Sequence, residues 1–117
     1  MNLHNRVTAL LPAHQASEFI QPTLDSLSAQ TFSDFTVIIS VDRCDDDTHA
    51  ICMKHCARDP RFRVIQQEQR LGYAGNCNFL LDQADAEYVL FAFHDDILAP
   101  SYIEKLCAVL DTRPEVV

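Results

Sequence analysis

Residues 36–65 read TVIISVDRCDDDTHAICMKHCARDPRFRVI, and the pattern of their apolar side chains changes twice along the stretch. Thr36 to Val41 is short and rich in β-branched residues, the composition of a strand. Asp42 to Thr48 is a polar loop, in which Asp46 or Asp47 can cap a helix running to about Ala57. ARDPRF turns the chain through Pro60, and Phe62 to Ile65 is a strand again. Strand, helix and strand follow one another without a hairpin signal, which predicts parallel pairing.

The same alternation extends outward on both sides. Val7 to Leu11 is a buried strand closed by Pro12. Ser17 can cap a helix carrying Ile20, Leu24 and Leu27, with Pro22 delaying or bending its first turn. QTFSDF, residues 30–35, leads into the second strand. Downstream, QQEQRLG leads to Gly72 and Gly75, the chain's two glycines, and a short helix is predicted from about Ala74 to Ala84. Tyr88 to Phe93 is a fourth strand ending in His94, Asp95 and Asp96. Ser101 with Glu104 reads as a capping box for a last helix, which carries Ile103, Leu106, Cys107 and Leu110 on one face. Val116 and Val117 look like the start of a fifth strand.

These elements predict an α/β domain over residues 1–117, with a Rossmann-like, mostly parallel sheet covered by helices on both faces. In such sheets ligands bind at the carboxyl ends of the strands. Those ends carry Pro12, Ala13 and His14, then Asp42, the loop from Arg70 to Asn78, and finally His94, Asp95 and Asp96.

Composition narrows the partners. The chain has 117 residues, 48% hydrophobic and 22% charged, enough to fold around a core. Its formal charge of -8 and lack of clustered Lys and Arg argue against nucleic acid. The amino terminus has too short an apolar stretch for a signal peptide and no long apolar segment follows, so a cytoplasmic protein without a membrane span is expected. Cys44, Cys52, Cys56, Cys77 and Cys107 make an odd count without framework spacing, which suits reduced core thiols. The sharper alternative is a zinc site from His49, Cys52 and Cys56, completed by Cys44 or His55.

Two adjacent carboxylates repel each other unless something positive stands between them. Asp95 and Asp96 can hold Mg²⁺ or Mn²⁺, which takes oxygen ligands and bridges to phosphate, or they are solvated loop residues with Asp96 capping locally. His94 either donates to a phosphate or is an exposed loop histidine. Asp42 either accepts from the N–H of a base such as uracil or is an ordinary turn residue. Asp45, Asp46 and Asp47 suit a helix start, where the dipole favours negative charge. Gly72 and Gly75 let the backbone approach a ligand closely.

VTALLPAHQASEFIQPTLDSLSAQTFSDFTVIISVD, DPRFRVIQQEQRLGYAGNCN and AEYVLFAFHDDILAPSYIEKL, in this order and spacing, resemble the amino-terminal, nucleotide-binding half of a family 2 glycosyltransferase with the GT-A fold. The resemblance runs from about Val7 to the end of the chain. It implies a nucleotide-diphospho-sugar donor, with the UDP type favoured, a divalent cation, and transfer of the sugar to an unknown acceptor. By the same resemblance, Pro12, Ala13 and His14 pack near the nucleoside, Asp42 contacts the base, and Gly72 and Asn78 pass the nucleoside and ribose. His94, Asp95 and Asp96 take the place of the family's DxD, with Asp95 as metal ligand and Asp96 as helper. The acceptor's base lies in the family's later half, beyond Val117.

There are departures. Phe93 replaces the first Asp of DxD, Cys77 stands where an Arg is common, and Val41 replaces the first of two aspartates. They keep two rivals open: a binding or assembly module that lost turnover, and another metal-dependent phosphoryl or nucleotidyl transferase. A sheet that ends early leaves an unpaired edge, so association into a homo-oligomer is also expected.

Overall fold

The two most apolar runs, Val7–Ala13 (β1) and Phe35–Val41 (β2), pair in parallel from Val7 opposite Phe35 to Ala13 opposite Val41, and they form the middle of the sheet. The computed structural model describes residues 6–113. Phe62–Gln66 (β3) joins the outer side of β2, and Tyr88–Phe91 (β4) joins the outer side of β1, so the parallel order is β3-β2-β1-β4. Between and after the strands run α1 (Ile20–Ser28), α2 (Thr48–Arg58), α3 (Gly72–Gln83) and α4 (Tyr102–Thr112).

Side chains of a strand alternate between faces, and here both faces are covered. Val7, Ala9 and Leu11 of β1, with Val37, Ile39 and Val41 of β2, meet Ile20, Leu24 and Leu27 of α1, Cys52 of α2, and Ile103 and Cys107 of α4. Leu10 and Ile38 point the other way, onto Leu80 of α3. The first face is apolar throughout. On the second, Ser40 sits near the carboxyl end of β2 and is fully buried, where Asn76 of α3 satisfies it. Each fully buried aliphatic side chain adds about 1.5–3 kcal/mol relative to exposure, so the first face holds most of the fold's stability.

Several boundaries differ from the sequence expectation, each for a local reason. α1 begins at Ile20 after Phe19, with the Phe19 and Ile20 N–H groups taken by the Ala16 carbonyl, and Ser17 makes no cap but is tied through its N–H to the Asp46 carboxylate. Pro22 lies in the first turn, where no helical N–H partner is needed. Asp46 also accepts from the N–H and hydroxyl of Thr48, so it secures the start of α2 from one residue before the formal cap. β4 stops at Phe91 because the Phe93 N–H turns to the Asp96 carboxylate. The capping box at Ser101 does not form: Ser101 makes no side-chain cap bond, and Glu104 accepts from the Thr31 hydroxyl instead. Val116 and Val117 lie outside the described residues.

The zinc reading fails on geometry. Among the described residues no three His, Cys, Asp or Glu side chains gather around a common point. Cys52 is core, its thiol pushed up to about 12 by burial, and Cys44 and Cys56 pack against the same cluster. Among the described residues no helix is long and apolar enough to cross a membrane.

His55 is occupied elsewhere. Ser28 donates its hydroxyl to Asp59 at 2.9 Å, so it must accept from His55 Nε2 at 2.7 Å, which leaves Nδ1 as an acceptor facing Gln21 Nε2 at 3.3 Å. Burial lowers the imidazole's pKa, and the Arg58 guanidinium lowers it further, against the opposing pull of Asp25 and Asp59. The ring packs edge-on to Phe62. The unfolded chain therefore takes up a proton first as pH falls below about 6.5, and stability falls with it. Urea unfolding at about pH 8 and about pH 5.5 is expected to show this loss, and His55→Gln to shrink it. Asp59, held at about 2 chiefly by its hydrogen bond from Arg61, adds its own loss only below 3.8. Equal midpoints at both pH values would remove His55 from this role.

Candidate functional site

The carboxyl ends of β1, β2 and β4 open on a common hollow because their ladders continue one step past the strands. The Asp42 N–H donates to the Ala13 carbonyl at 2.8 Å, and the Ala92 N–H donates to the Leu10 carbonyl at 2.9 Å. The hollow has a volume of about 360 Å³. Pro12, Ala13 and His14 line it from β1, Asp42 from β2, Arg70, Tyr73 and Asn76 from the segment entering α3, and Phe93, His94 and Asp95 from β4.

Asp42 is the most heavily bonded group in it. The carboxylate is 2% exposed, and each oxygen takes two donors. Oδ1 accepts from the Leu71 N–H at 2.8 Å and the Arg43 N–H at 2.9 Å. Oδ2 accepts from the Gly72 N–H at 2.9 Å and Arg70 Nε at 3.0 Å. Burial alone would raise its pKa, but these four bonds outweigh burial and hold the carboxyl below its ordinary value. Gly72 itself adopts φ +78, the left-handed region that glycine tolerates without strain, as the chain turns into α3.

Beside it, Asn76 donates to the Ser40 carbonyl at 3.0 Å and accepts from the Ser40 hydroxyl. Gln67 extends this link by donating to Ser40 Oγ at 3.0 Å. The floor of the hollow between β2 and α3 is therefore a closed polar network.

The opposite wall is set by α1. Thr23 donates its hydroxyl to the His94 carbonyl at 3.1 Å, and Ser26 accepts from the Leu98 N–H at 3.1 Å. Gln30 donates to the Ala99 carbonyl at 2.7 Å and accepts from the Ile103 N–H at 3.0 Å. Asp96 is turned inward, its Oδ2 accepting from the Phe93 N–H at 3.0 Å, which is the local capping reading of that residue. Asp95 is exposed and lines the hollow.

An aromatic row crosses the same wall. Phe91 and Phe93 lie nearly parallel at 6.0 Å, and Phe93 stacks with Tyr73 at 6.1 Å. Phe91 packs against the Leu10, Ile38 and Leu80 cluster, whereas Tyr73 is 68% exposed. The row thus begins in the core and ends at the mouth.

Of the residues singled out from sequence, Pro12, Ala13, His14, Asp42, His94 and Asp95 line the hollow together. Gly72, Asn78 and Asp96 do not: Gly72 is bound to Asp42 behind the wall, Asn78 is exposed on α3, and Asp96 closes its own turn. Arg70, Tyr73 and Asn76 complete the lining without having been singled out. The signal for Asn76 was available in its spacing from Leu80, one helical turn on, which faces the sheet. Nothing comparable marked Tyr73.

Magnesium and manganese are commonly held by one or two carboxylates together with substrate phosphates and water. Asp95 can supply such a carboxylate, and Asp96 adjoins it. Among the described residues no preformed three-ligand cage exists. The donor set therefore fits a cation that arrives with a phosphate.

Comparison with known proteins places this geometry. The family model described as Glycosyl transferase family 2 matches residues 8–117. A chondroitin synthase from Escherichia coli is 33% identical over 108 residues, covering 86% of this chain and 14% of that protein. The putative glycosyltransferase EpsH from Bacillus subtilis is 30% identical over 112 residues, covering 95% of this chain and 32% of that protein. The crystal structure of S. aureus TarS 1-349 in complex with UDP-GlcNAc superposes with a TM-score of 0.86 at 27% identity, covering 93% of this chain and 32% of that one. The chain spans 15% to 33% of the lengths of the first three curated relatives it matches.

Removing the Asp42 carboxylate strands three backbone donors and the Arg70 guanidinium at one point. Asp42→Ala is expected to cost about 1–3 kcal/mol in urea unfolding, because the buried acceptor is lost while water can reach the donors left behind. It should also speed amide exchange at Leu71 and Gly72 ahead of the core strands. A variant within about 0.5 kcal/mol of wild type, with those amides still protected, would show that the loop stands without Asp42.

Proposed function

The chain belongs to glycosyl transferase family 2, and on that premise we propose that its strand-end hollow binds the nucleoside diphosphate of an activated sugar, as the donor-binding part of a sugar transferase. One observation carries this reading: Asp95 and His94, at the end of β4, share a single hollow with Asp42 and Arg70, at the end of β2 and the entry to α3. Ligands of parallel α/β sheets bind in such a position. TarS, crystallised with UDP and with UDP-GlcNAc, is similar to 93% of this chain, which favours a UDP-type donor.

In the transfer, the acceptor oxygen bonds to the anomeric carbon as the bond from that carbon to the diphosphate oxygen breaks. The acceptor's proton passes to a base, and the diphosphate leaves with the electron pair. A divalent cation such as Mg²⁺ or Mn²⁺, when bound, supplies charge neutralisation for the departing diphosphate. Asp95 would hold it, with Asp96 adjoining. His94 would donate to a phosphate oxygen, and Pro12, Ala13 and His14 would form the wall against the nucleoside. Asp42 acts as a positioning residue: it holds Arg70, Leu71 and Gly72 where the nucleotide passes. To serve as an acceptor for the base, it would have to give up one of its four present bonds.

A second reading, a nucleotide-binding module without turnover, is favoured by Phe93, whose ring occupies a place where a carboxylate would otherwise face the ligand. The two readings share the binding step and part at transfer.

Calorimetric titration of UDP with and without Mn²⁺ tests the shared step. Binding is expected to strengthen at least about tenfold with the metal, and Asp95→Ala to abolish that gain while leaving the fold intact. Metal-independent binding by wild type, or an unchanged metal effect in Asp95→Ala, would overturn the assignment.

A further inference from the structure

Asp95 is exposed and its carboxylate makes no bond among the described residues, so its direction is set by its backbone. That backbone is a turn. The Asp96 N–H donates to the Phe93 carbonyl at 2.9 Å, closing residues 93–96 around a middle peptide that joins His94 to Asp95. The middle peptide of such a turn can face either of two opposite ways, and the flipped form puts the third residue, here Asp95, at positive φ. Aspartate visits that region more readily than most residues, so the turn alone does not forbid the flip. Asp95 does not adopt it here: among the described residues Gln15 is the one non-glycine at positive φ.

A hydroxyl on α1 meets that middle peptide. Thr23 donates to its oxygen, the His94 carbonyl, at 3.1 Å. Thr23 is fully buried and shares the inner face of α1 with Ile20, Leu24 and Leu27, a place where a valine would fill nearly the same space without burying a hydroxyl. The hydroxyl is therefore explained by its bond and not by packing. Ser26 donates to the Thr23 carbonyl at 2.8 Å and accepts from the Leu98 N–H at 3.1 Å, so the two hydroxyls hold both ends of the segment 94–98. Both stand on a helix packed into the core, which makes the hold rigid.

We propose that Thr23 is a positioning residue for the metal: its hydroxyl fixes the His94–Asp95 peptide in the orientation that presents the Asp95 carboxylate to the hollow. This role rests on the metal-assisted donor reading above. Thr23 is not among the residues that line the hollow, so it acts through the backbone of Asp95 and not on the ligand. Groups that orient a metal ligand in this way set its affinity although they never touch the metal.

The test is calorimetric titration of UDP, with and without Mn²⁺, on the 117-residue chain and its variants, with core amide exchange followed in each. Thr23→Val removes the donor and keeps the bulk. It is expected to cut the affinity gained from Mn²⁺ by about tenfold, while metal-free UDP binding and core protection stay as in wild type. Thr23→Ser keeps the hydroxyl and is expected to keep most of the gain. In an Asp95→Ala background, where the gain is already lost, Thr23→Val is expected to change nothing further. The full gain retained in Thr23→Val overturns the role and leaves the nucleotide-binding reading in place. A Thr23→Val chain whose core amides lose protection overturns it too, because the hydroxyl would then serve the whole fold. A wild type that gains nothing from Mn²⁺ overturns the metal assignment together with this role.

Discussion

A buried carboxylate must find donors for its lone pairs, and the way Asp42 finds them organises the whole rim of the sheet. Three of its four donors come from the consecutive residues Arg70, Leu71 and Gly72. To bring two successive N–H groups onto one carboxylate, the backbone turns left-handed at Gly72 and enters α3 immediately. That entry fixes the phase of the helix. Tyr73 then falls on the mouth of the hollow, Asn76 on the buried Ser40, and Leu80 on the sheet. A charge that would be costly if left unpaired is thus the joint between β2 and α3.

The other wall obeys the same rule with neutral groups. Along α1, Ile20, Leu24 and Leu27 bury against the strands, while Thr23 and Ser26, with Gln30 just past the helix, reach the segment after β4. A loop from Phe93 to Pro100 has few partners of its own, and buried backbone groups left unpaired are costly. Gln30 reaches both the Ala99 carbonyl, which also accepts from the Tyr102 N–H, and the Ile103 N–H. The position of Asp95 is therefore set by a helix more than sixty residues earlier in the chain, which is the long-range element of the site.

The strands and their parallel pairing could be read from sequence because buried parallel strands need apolar side chains on both faces, and Val7–Ala13 and Phe35–Val41 meet that need almost without interruption. The ends of elements were harder. β4 ends early because Asp96 captures the Phe93 N–H, and the capping box at Ser101 fails because Thr31 offers Glu104 a partner from across the fold. Both outcomes depend on competition between side chains that a local pattern does not show. The site divided in the same way. Pro12, His14, Asp42, His94 and Asp95 followed from topology, since they end strands. Asn76 went unnoticed although its spacing from Leu80 puts it on the buried side of α3, whereas Asn78, two residues on, is exposed.

Charge explains why the proposed ligand and the chain suit each other despite a net charge of -8. Arg70 is the one Lys or Arg that lines the hollow, and its Nε is bound to Asp42. The pair is neutral together. Asp95 then leaves the mouth negative, a poor environment for a diphosphate on its own. On the proposed reading a divalent cation comes with the diphosphate, because the cation's charge exceeds that of Asp95 and inverts the local field. On the same reading, the missing basic side chain and the exposed carboxylate are one arrangement: the affinity for phosphate is lent by the metal.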